Sequence, residues 1–244
     1  EPKNTPIVKA LGQVLAEDII ARFDIPPLDN SAMDGYAIQA SNVTSASIRS
    51  PSILQIVGSI VAGELPRVEV KPGTAIRIMT GAPIPPGADT VVPFEDTDEF
   101  DRKVQGIGAL DITEIKVRSD VSKGSNMRPA GQDIQNGQLV LKKGIMLRPS
   151  EIGVLASLGR DTVEVVRRPV VAVIATGNEL MEPGEPASAG KIYNSNSYSV
   201  SAAVLRYGGL PKILGIAEDN LESMTSKLED GLTADVLLTS AGVS

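Results

Sequence analysis

Several short segments of this chain place a carboxylate or hydroxyl beside a glycine: Asp34 in MDGYA, Thr80 and Gly81 in TGAPIPPGAD, Asp133 in GQDI, and Thr176, Gly177 and Glu179 in ATGNEL. Asp219 in GIAEDN and Ser240 and Gly242 in LLTSAG lie, like Thr176, just past apolar runs. Backbone amides at helix starts accept anions and carboxylates hold the accompanying cation, so loops of this composition suit a phosphate-bearing ligand. Each segment also has a plain structural reading. Asp34 and Asp133 can be turn residues that bond their own backbone, and Thr80-Gly81 can close a β turn. Thr176-Gly177 can be a tight strand-to-helix turn, Glu179 a helix-start carboxylate, and Asp219 a helix N-cap.

Composition narrows the chemistry further. The chain has no Cys and no His, which excludes thiol nucleophiles, disulfide frameworks, thiolate zinc sites and an imidazole base. What remains is carboxylates, Lys, Arg, hydroxyls and backbone amides, together with a hard oxygen-liganded cation such as Mg²⁺. Transfer of phosphoryl-like or oxyanion groups fits that set. The formal charge of −7 comes without a Lys/Arg cluster, so nucleic acid is not an expected partner. No apolar run approaches the roughly 20 residues of a membrane span, and residues 1–10 have no signal-peptide pattern. A cytoplasmic location is the default expectation. Apolar residues make up 42% of the chain but aromatics only 3%, so its cores must be aliphatic.

The elements that must position these residues follow from periodicity. Over residues 7–21, Val8, Leu11, Leu15 and Ile19 recur at helical spacing before Pro26-Pro27, which predicts a short helix. Residues 42–143 carry short Val/Ile/Thr runs separated by Gly and Pro (SILQIVGSIVAG, TAIRIMTG, DTVVPFED, TEIKVRS, GQLVLKKG), the pattern of a small β domain. Helical spacing returns over 150–158, so the β segment is expected to interrupt a mainly helical domain formed by 1–41 and 144–167. From 168 the rhythm changes to strand, helix, strand, helix, strand (PVVAVIATG, SNSYSVSAAVLRYGG, PKILGIAED, LESMTSKLEDGL, DVLLTSAG). That predicts right-handed βαβ units and a parallel sheet over 168–244, with ligands at the carboxyl ends of the strands. The fold class is therefore multidomain α/β and β. The chain stops directly after the third strand, where an open sheet would continue, and so reads as a fragment.

Taken together, LGQVLAEDI, PPLDNSAMDGYAI, IRIMTGAPIPPGADTVVPFEDT, NMRPAGQDI, PSEIGVLASLG, VAVIATGNEL, NSNSYSVSAAV and LLTSAGVS resemble, in order, the molybdopterin molybdenumtransferase family of the MoeA and gephyrin E-domain type. The resemblance runs from near the start to the last residue. It implies an elongated domain I built from both flanks of an inserted β domain II, then a molybdopterin-binding α/β domain III. The small β domain IV that the family adds has no counterpart here.

The resemblance also implies a reaction: adenylylated molybdopterin and molybdate give the molybdenum cofactor and AMP, with a divalent cation such as Mg²⁺. By motif, Asp34, Thr80, Asp133, Glu179 and Asp219 match family active-site positions. Thr80 serves as a donor and the carboxylates, Glu179 and Asp219 in particular, serve as cation-binding and orienting groups. Thr176, Gly177, Ser240 and Gly242 fall where the pterin nucleotide would bind. The family acts as a homodimer with its cleft between domain II of one subunit and domain III of the other. Asn178 and Asn220 stand where relatives often carry Asp, and the family's molybdate-binding Lys, Arg and Ser residues lie mostly beyond Ser244. A non-catalytic binding or scaffold module, an inactive fragment, and a generic α/β nucleotide-binding domain are the competing readings.

Overall fold

A computed structural model of the chain describes residues 1–104 and 113–241. Gly242 lies outside the described residues. The chain divides into two compact units, one formed by Glu1–Ile19 with Leu141–Ser244 and the other by Ile20–Val140. Among the described residues no helix is long and apolar enough to cross a membrane.

In the first unit the expected helix over residues 7–21 does not form. A 3₁₀ turn at Ile7–Ala10 is followed by extended chain. Gly12 takes φ +75° and its amide, like that of Leu15, donates to carbonyls of residues 147 and 145. Ala16 pairs with the carbonyl of Glu164. The apolar spacing was misleading because the residues do not share a buried face: Leu15 and Ile19 are buried, whereas Val8 is 75% exposed and Leu11 46%. With Pro2–Pro6 paired antiparallel to Thr162–Val166, this region is more strand than helix, and the expectation of a mainly helical domain is corrected. Its one α-helix is Pro149–Ser157. Proline at its first position loses no helical hydrogen bond, and Glu151 reaches back to accept the Arg148 amide at 2.9 Å.

The α/β segment forms as the alternating pattern predicts. Val170–Thr176 is the centre of a three-stranded sheet, parallel to Leu210–Ala217 on one side and Val236–Ala241 on the other. The helices Ser195–Arg206 and Leu221–Gly231 connect the strands. Each begins at an asparagine whose side chain accepts an amide of the first turn, Asn194 from Ser197 and Asn220 from Ser223, the expected service of an N-cap. At the amino ends of the strands, Asp235 accepts both the Arg167 guanidinium and the Val170 amide. The guanidinium bond is the chief reason its carboxyl is held well below the usual range.

The second unit contains a five-stranded sheet in the order Thr90–Pro93, Gly35–Ile38, Thr74–Ile78, Ser52–Ile60, Glu114–Val117. Only Ser52–Ile60 and Thr74–Ile78 run parallel. Strand alternation sorts the core into two faces: Tyr36, Ile38, Leu54 and Ile115 pack on one, Ala37, Ile60, Ile76 and Val91 on the other. Each aliphatic side chain so buried contributes about 2 kcal/mol. The expected β domain starts earlier than residue 42, because Gly35–Ile38 is an interior strand of this sheet. In sequence Asp34-Gly35 reads as a turn and Tyr36-Ala37-Ile38 as the start of a strand, but nothing local reveals that Gly35–Ile38 is buried along its whole length.

Gly35 has no space for a side chain, since a Cβ there would lie 1.9 Å from the Val92 carbonyl oxygen. Gly35→Ala must therefore push two paired strands apart and should cost about 3 kcal/mol in urea unfolding. A loss below about 0.5 kcal/mol would mean the strands are not packed this closely. The helix cap yields a second expectation. The Arg148 guanidinium beside Glu151 holds its carboxyl at about 2 against an ordinary 4.5. Because the folded value is depressed, the cap stabilises fully above about pH 4.5 and loses that stabilisation as pH falls through about 2. The gap in Tm between the parent and Glu151→Gln should accordingly narrow across that window; a gap independent of pH would contradict an ionic cap.

Candidate functional site

The three parallel strands place their carboxyl ends side by side. The chain passes from the central strand to one edge and then crosses to the other, so the crevice between Val170–Thr176 and Val236–Ala241 is a topological switch point, the place where ligands enter open α/β sheets. A pocket of about 120 Å³ sits there, lined by Thr176, Glu179, Asn194, Ser195, Asn196 and Ser240. It is smaller than the roughly 300 Å³ of a whole-ligand pocket, so it suits one group of a ligand, such as a tetrahedral oxyanion. Its donors are of the right kind. The first amides of the helix Ser195–Arg206 have no intrahelical acceptor, and the helix dipole favours negative charge at that end. Asn196 Nδ2 donates to Ser240 Oγ at 3.1 Å, and the Thr176 hydroxyl points to the Ser240 carbonyl at 3.5 Å.

Glu179 and Asp219 occupy neighbouring loops. No helix begins at Glu179; the residues after Gly177 make a turn and a two-residue strand, Leu180–Met181. The Glu179 carboxylate folds back over Gly177, where a Cβ would lie 2.4 Å from one of its oxygens, and Gly177 itself takes φ +141°. Asp219 is not the helix cap, because Asn220 is. Instead Asp219 and Asn178 bind reciprocally: the Asn178 amide donates to Asp219 at 3.3 Å and the Asp219 amide to Asn178 Oδ1 at 3.1 Å. Lys191 donates to the Asn178 carbonyl, on the wall of a second pocket of about 230 Å³ that also includes Gly177, Glu182 and Glu218.

Among the described residues no three acidic side chains are grouped to enclose a metal, and the Glu179 carboxylate accepts no hydrogen bond. The described residues alone therefore supply no closed cation site there; a Mg²⁺ ion would need one or two carboxylates, such as that of Glu179, with substrate oxygens and water completing its shell.

In the second unit Asp34 does not bond its own turn. Its Oδ1 accepts the Thr80 amide at 2.7 Å and the Thr80 hydroxyl at 2.8 Å, and these two bonds hold its carboxyl below the ordinary value. Thr80 also closes a turn, with the Ala82 amide on the Met79 carbonyl at 3.0 Å and Gly81 at φ +81°. Asp133 is exposed and accepts a guanidinium nitrogen of Arg128 through both oxygens, at 2.8 and 3.0 Å. The structure thus joins Asp34 to Thr80, and places Glu179 beside Thr176 and Ser240. Asp133 pairs with Arg128, a residue that sequence reasoning missed although it sits in the same NMRPAGQDI segment. Asn196 and Lys191 were missed as well: Asn196 has no glycine beside it to mark it, and Lys191, though it follows Gly190, does not lie just past an apolar run.

Residues 1–159 match the family model for the MoeA N-terminal region (domain I and II), and residues 172–244 match a probable molybdopterin binding domain. The chain belongs to the MoeA family. The protein named molybdopterin molybdenumtransferase 2 of Mycobacterium tuberculosis is 37% identical over all 244 residues, which is 58% of its own length. The molybdopterin molybdenumtransferase of Bacillus subtilis is 37% identical over 236 residues, 53% of its length. A solved MoeA structure from Pyrococcus horikoshii superposes with a TM-score of 0.85 at 34% identity, covering 98% of this chain and 61% of that one. The chain thus spans little more than half the length of the MoeA relatives it matches.

Within this MoeA chain the Asp34–Thr80 contact is open to direct measurement. Thr80→Val removes the hydroxyl and keeps the amide, so the Asp34 carboxyl should titrate at higher pH than in the parent, followed by its ¹³C resonance. An unmoved midpoint would show that the hydroxyl does not hold this carboxylate.

Proposed function

We propose that this chain carries the pterin-nucleotide pocket and part of the reacting groups of a molybdopterin molybdenumtransferase, inserting molybdate into adenylylated molybdopterin with release of AMP. The carrying observation is the oxyanion-sized pocket at the strand switch point, with Glu179 on its wall, in a chain matched throughout by proteins of that name. In this reading the amides of Ser195 and Asn196 and the hydroxyls of Thr176 and Ser240 hold an anionic group of the nucleotide. Glu179 and Asp219 hold Mg²⁺, which neutralises phosphate charge when bound. Asp34, oriented by Thr80, and Asp133, oriented by Arg128, position the reacting groups.

No covalent nucleophile is needed. The task is to bring one anion to another and to cleave a phosphoanhydride, which positioning and charge neutralisation accomplish. The protein acts in the cytoplasm as a homodimer, with its cleft between copies, and should sediment as a dimer at micromolar concentration; a monomer there contradicts that part of the reading.

The deciding assay incubates the purified protein with adenylylated molybdopterin and Mg²⁺, with and without molybdate, and quantifies bound nucleotide and released AMP. Molybdate-dependent AMP release is expected, and Asp34→Ala and Glu179→Ala should each lower it well beyond threefold. If both stay within about threefold, less than 1 kcal/mol of transition-state stabilisation, the site assignment is wrong. Binding without release would favour a non-catalytic module.

A further inference from the structure

The Asp34–Thr80 pair sits beyond the open end of two antiparallel strands. Gly35–Ile38 and Thr74–Ile78 pair with Gly35 opposite Ile78 and Tyr36 opposite Arg77. Asp34 immediately precedes the first strand and Thr80 lies two residues past the second. Strand ends fray unless something holds them, and a carboxylate bonded at 2.7 and 2.8 Å tolerates little splaying.

Just behind the pair, the two facing residues converge on one carboxylate. The Tyr36 hydroxyl donates to Glu99 at 2.6 Å, and the Arg77 guanidinium donates to it at 2.7 Å through Nη2 and at 3.3 Å through Nε. Glu99 is buried, and Tyr36 fully so. The Arg77 guanidinium also lies 4.4 Å from the centre of the Phe94 ring, whose edge-to-face partner at 5.5 Å is Tyr36, and the Phe94 amide donates to the Asp34 carbonyl at 3.2 Å.

The segment that carries Glu99 is anchored to the edge strand Glu114–Val117 of the same sheet. Asp98, beside Glu99, accepts the Lys116 amide at 2.8 Å and donates its own amide to the Lys116 carbonyl at 3.1 Å. Burial, with the Glu99 carboxylate beside it, pushes the Tyr36 hydroxyl far above its ordinary pKa, so it remains a donor at every working pH.

We propose that Glu99 is the positioning residue of the Asp34–Thr80 pair: its buried carboxylate clips the two strands together at the register directly behind that pair. The role rests on the reading of Asp34 and Thr80 as part of the reacting site. Glu99 touches neither residue. It acts through Tyr36 and Arg77, which share the strands that carry them. An aliphatic cross-strand pair at the same register would fill the space but fix neither the spacing nor the slide of the strands, because dispersion contacts are not directional.

The test reads the Thr80 amide, which is bonded to Asp34, in ¹H–¹⁵N spectra of the protein. Asp34→Asn marks the resonance position of a lost charge-assisted bond. In Glu99→Gln the Thr80 resonance should move most of the way to that mark, and in Tyr36→Phe part of the way. Resonances of Ser52–Ile60 and Glu114–Val117 should stay where they are. A Thr80 resonance that remains at its parent position in a folded variant overturns the proposal. Should Glu99→Gln fail to fold, Tyr36→Phe decides by the same two outcomes.

In the AMP-release assay Glu99→Gln should lower kcat on the order of tenfold and leave KM within about twofold, the mark of lost transition-state positioning rather than lost binding. Unchanged turnover in a variant whose Thr80 amide has moved also overturns the role. Failure of the parent protein to release AMP counts against the proposed function alone, since the Thr80 resonance reports the clip without turnover.

Discussion

Parallel strands cannot be joined by tight hairpins, so each depends on its neighbours for placement, and in this chain everything at the pocket hangs on the pairing of Val170–Thr176 along both edges. Its carboxyl end delivers Thr176, then Gly177 and Glu179. The edge strands deliver Asp219 and Ser240 to the same level. The Arg167–Asp235 clamp fixes the opposite end, where Asp235 also takes the Val170 amide. A shift of one residue in either pairing would turn the whole set of loop residues away from the crevice.

Both units solve the same difficulty, that of holding a short acidic side chain still on an exposed loop. A free Asp or Glu at a strand end would sample several rotamers and lose orientation. Here Asp219 is tied to Asn178 by two reciprocal bonds, Asp34 to Thr80 by two, and Asp133 to Arg128 by two. In each case only part of the carboxylate's acceptor capacity is used, which leaves lone pairs for a ligand. Glu179 differs. It is held by shape, folded over a glycine that leaves room for it, and its carboxylate accepts no hydrogen bond from the described residues.

The strand-helix alternation after residue 168 was legible because long apolar strands and amphipathic helices carry strong period signals, but the caps were not: Asp219 read as a helix start, and Asn194 and Asn220 are the residues that cap. The five-stranded sheet was partly legible: its Val/Ile/Thr runs stood out and Tyr36-Ala37-Ile38 read as the start of a strand, but so short a segment carries too little pattern to place it inside that sheet. The helix expected over 7–21 failed for the opposite reason. Helical spacing was present by composition alone, while the backbone there found acceptors in residues 145–147 and 164 that no local reading could supply. Site residues in the glycine-containing loops at strand ends were found. Those without such a marker, Arg128, Asn196 and Glu99, became visible only when distant segments were brought together.

A chain without His or Cys has no group poised to exchange protons near neutral pH, and the arrangement is consistent with a reaction that does not require one. In the proposed reaction oxyanions are attracted by fixed amides, hydroxyls and a cation, none of which needs to change protonation during turnover. The Thr80 amide and hydroxyl hold the Asp34 carboxyl below its ordinary value, so it can orient a donor but makes a poor general acid. In the proposed reaction the role of the carboxylates is geometric and electrostatic, and its accuracy is inherited from strand register. By the same dependence, the proposed positioning role of the Tyr36–Arg77–Glu99 cluster lies in the register of the paired strands behind Asp34 and Thr80.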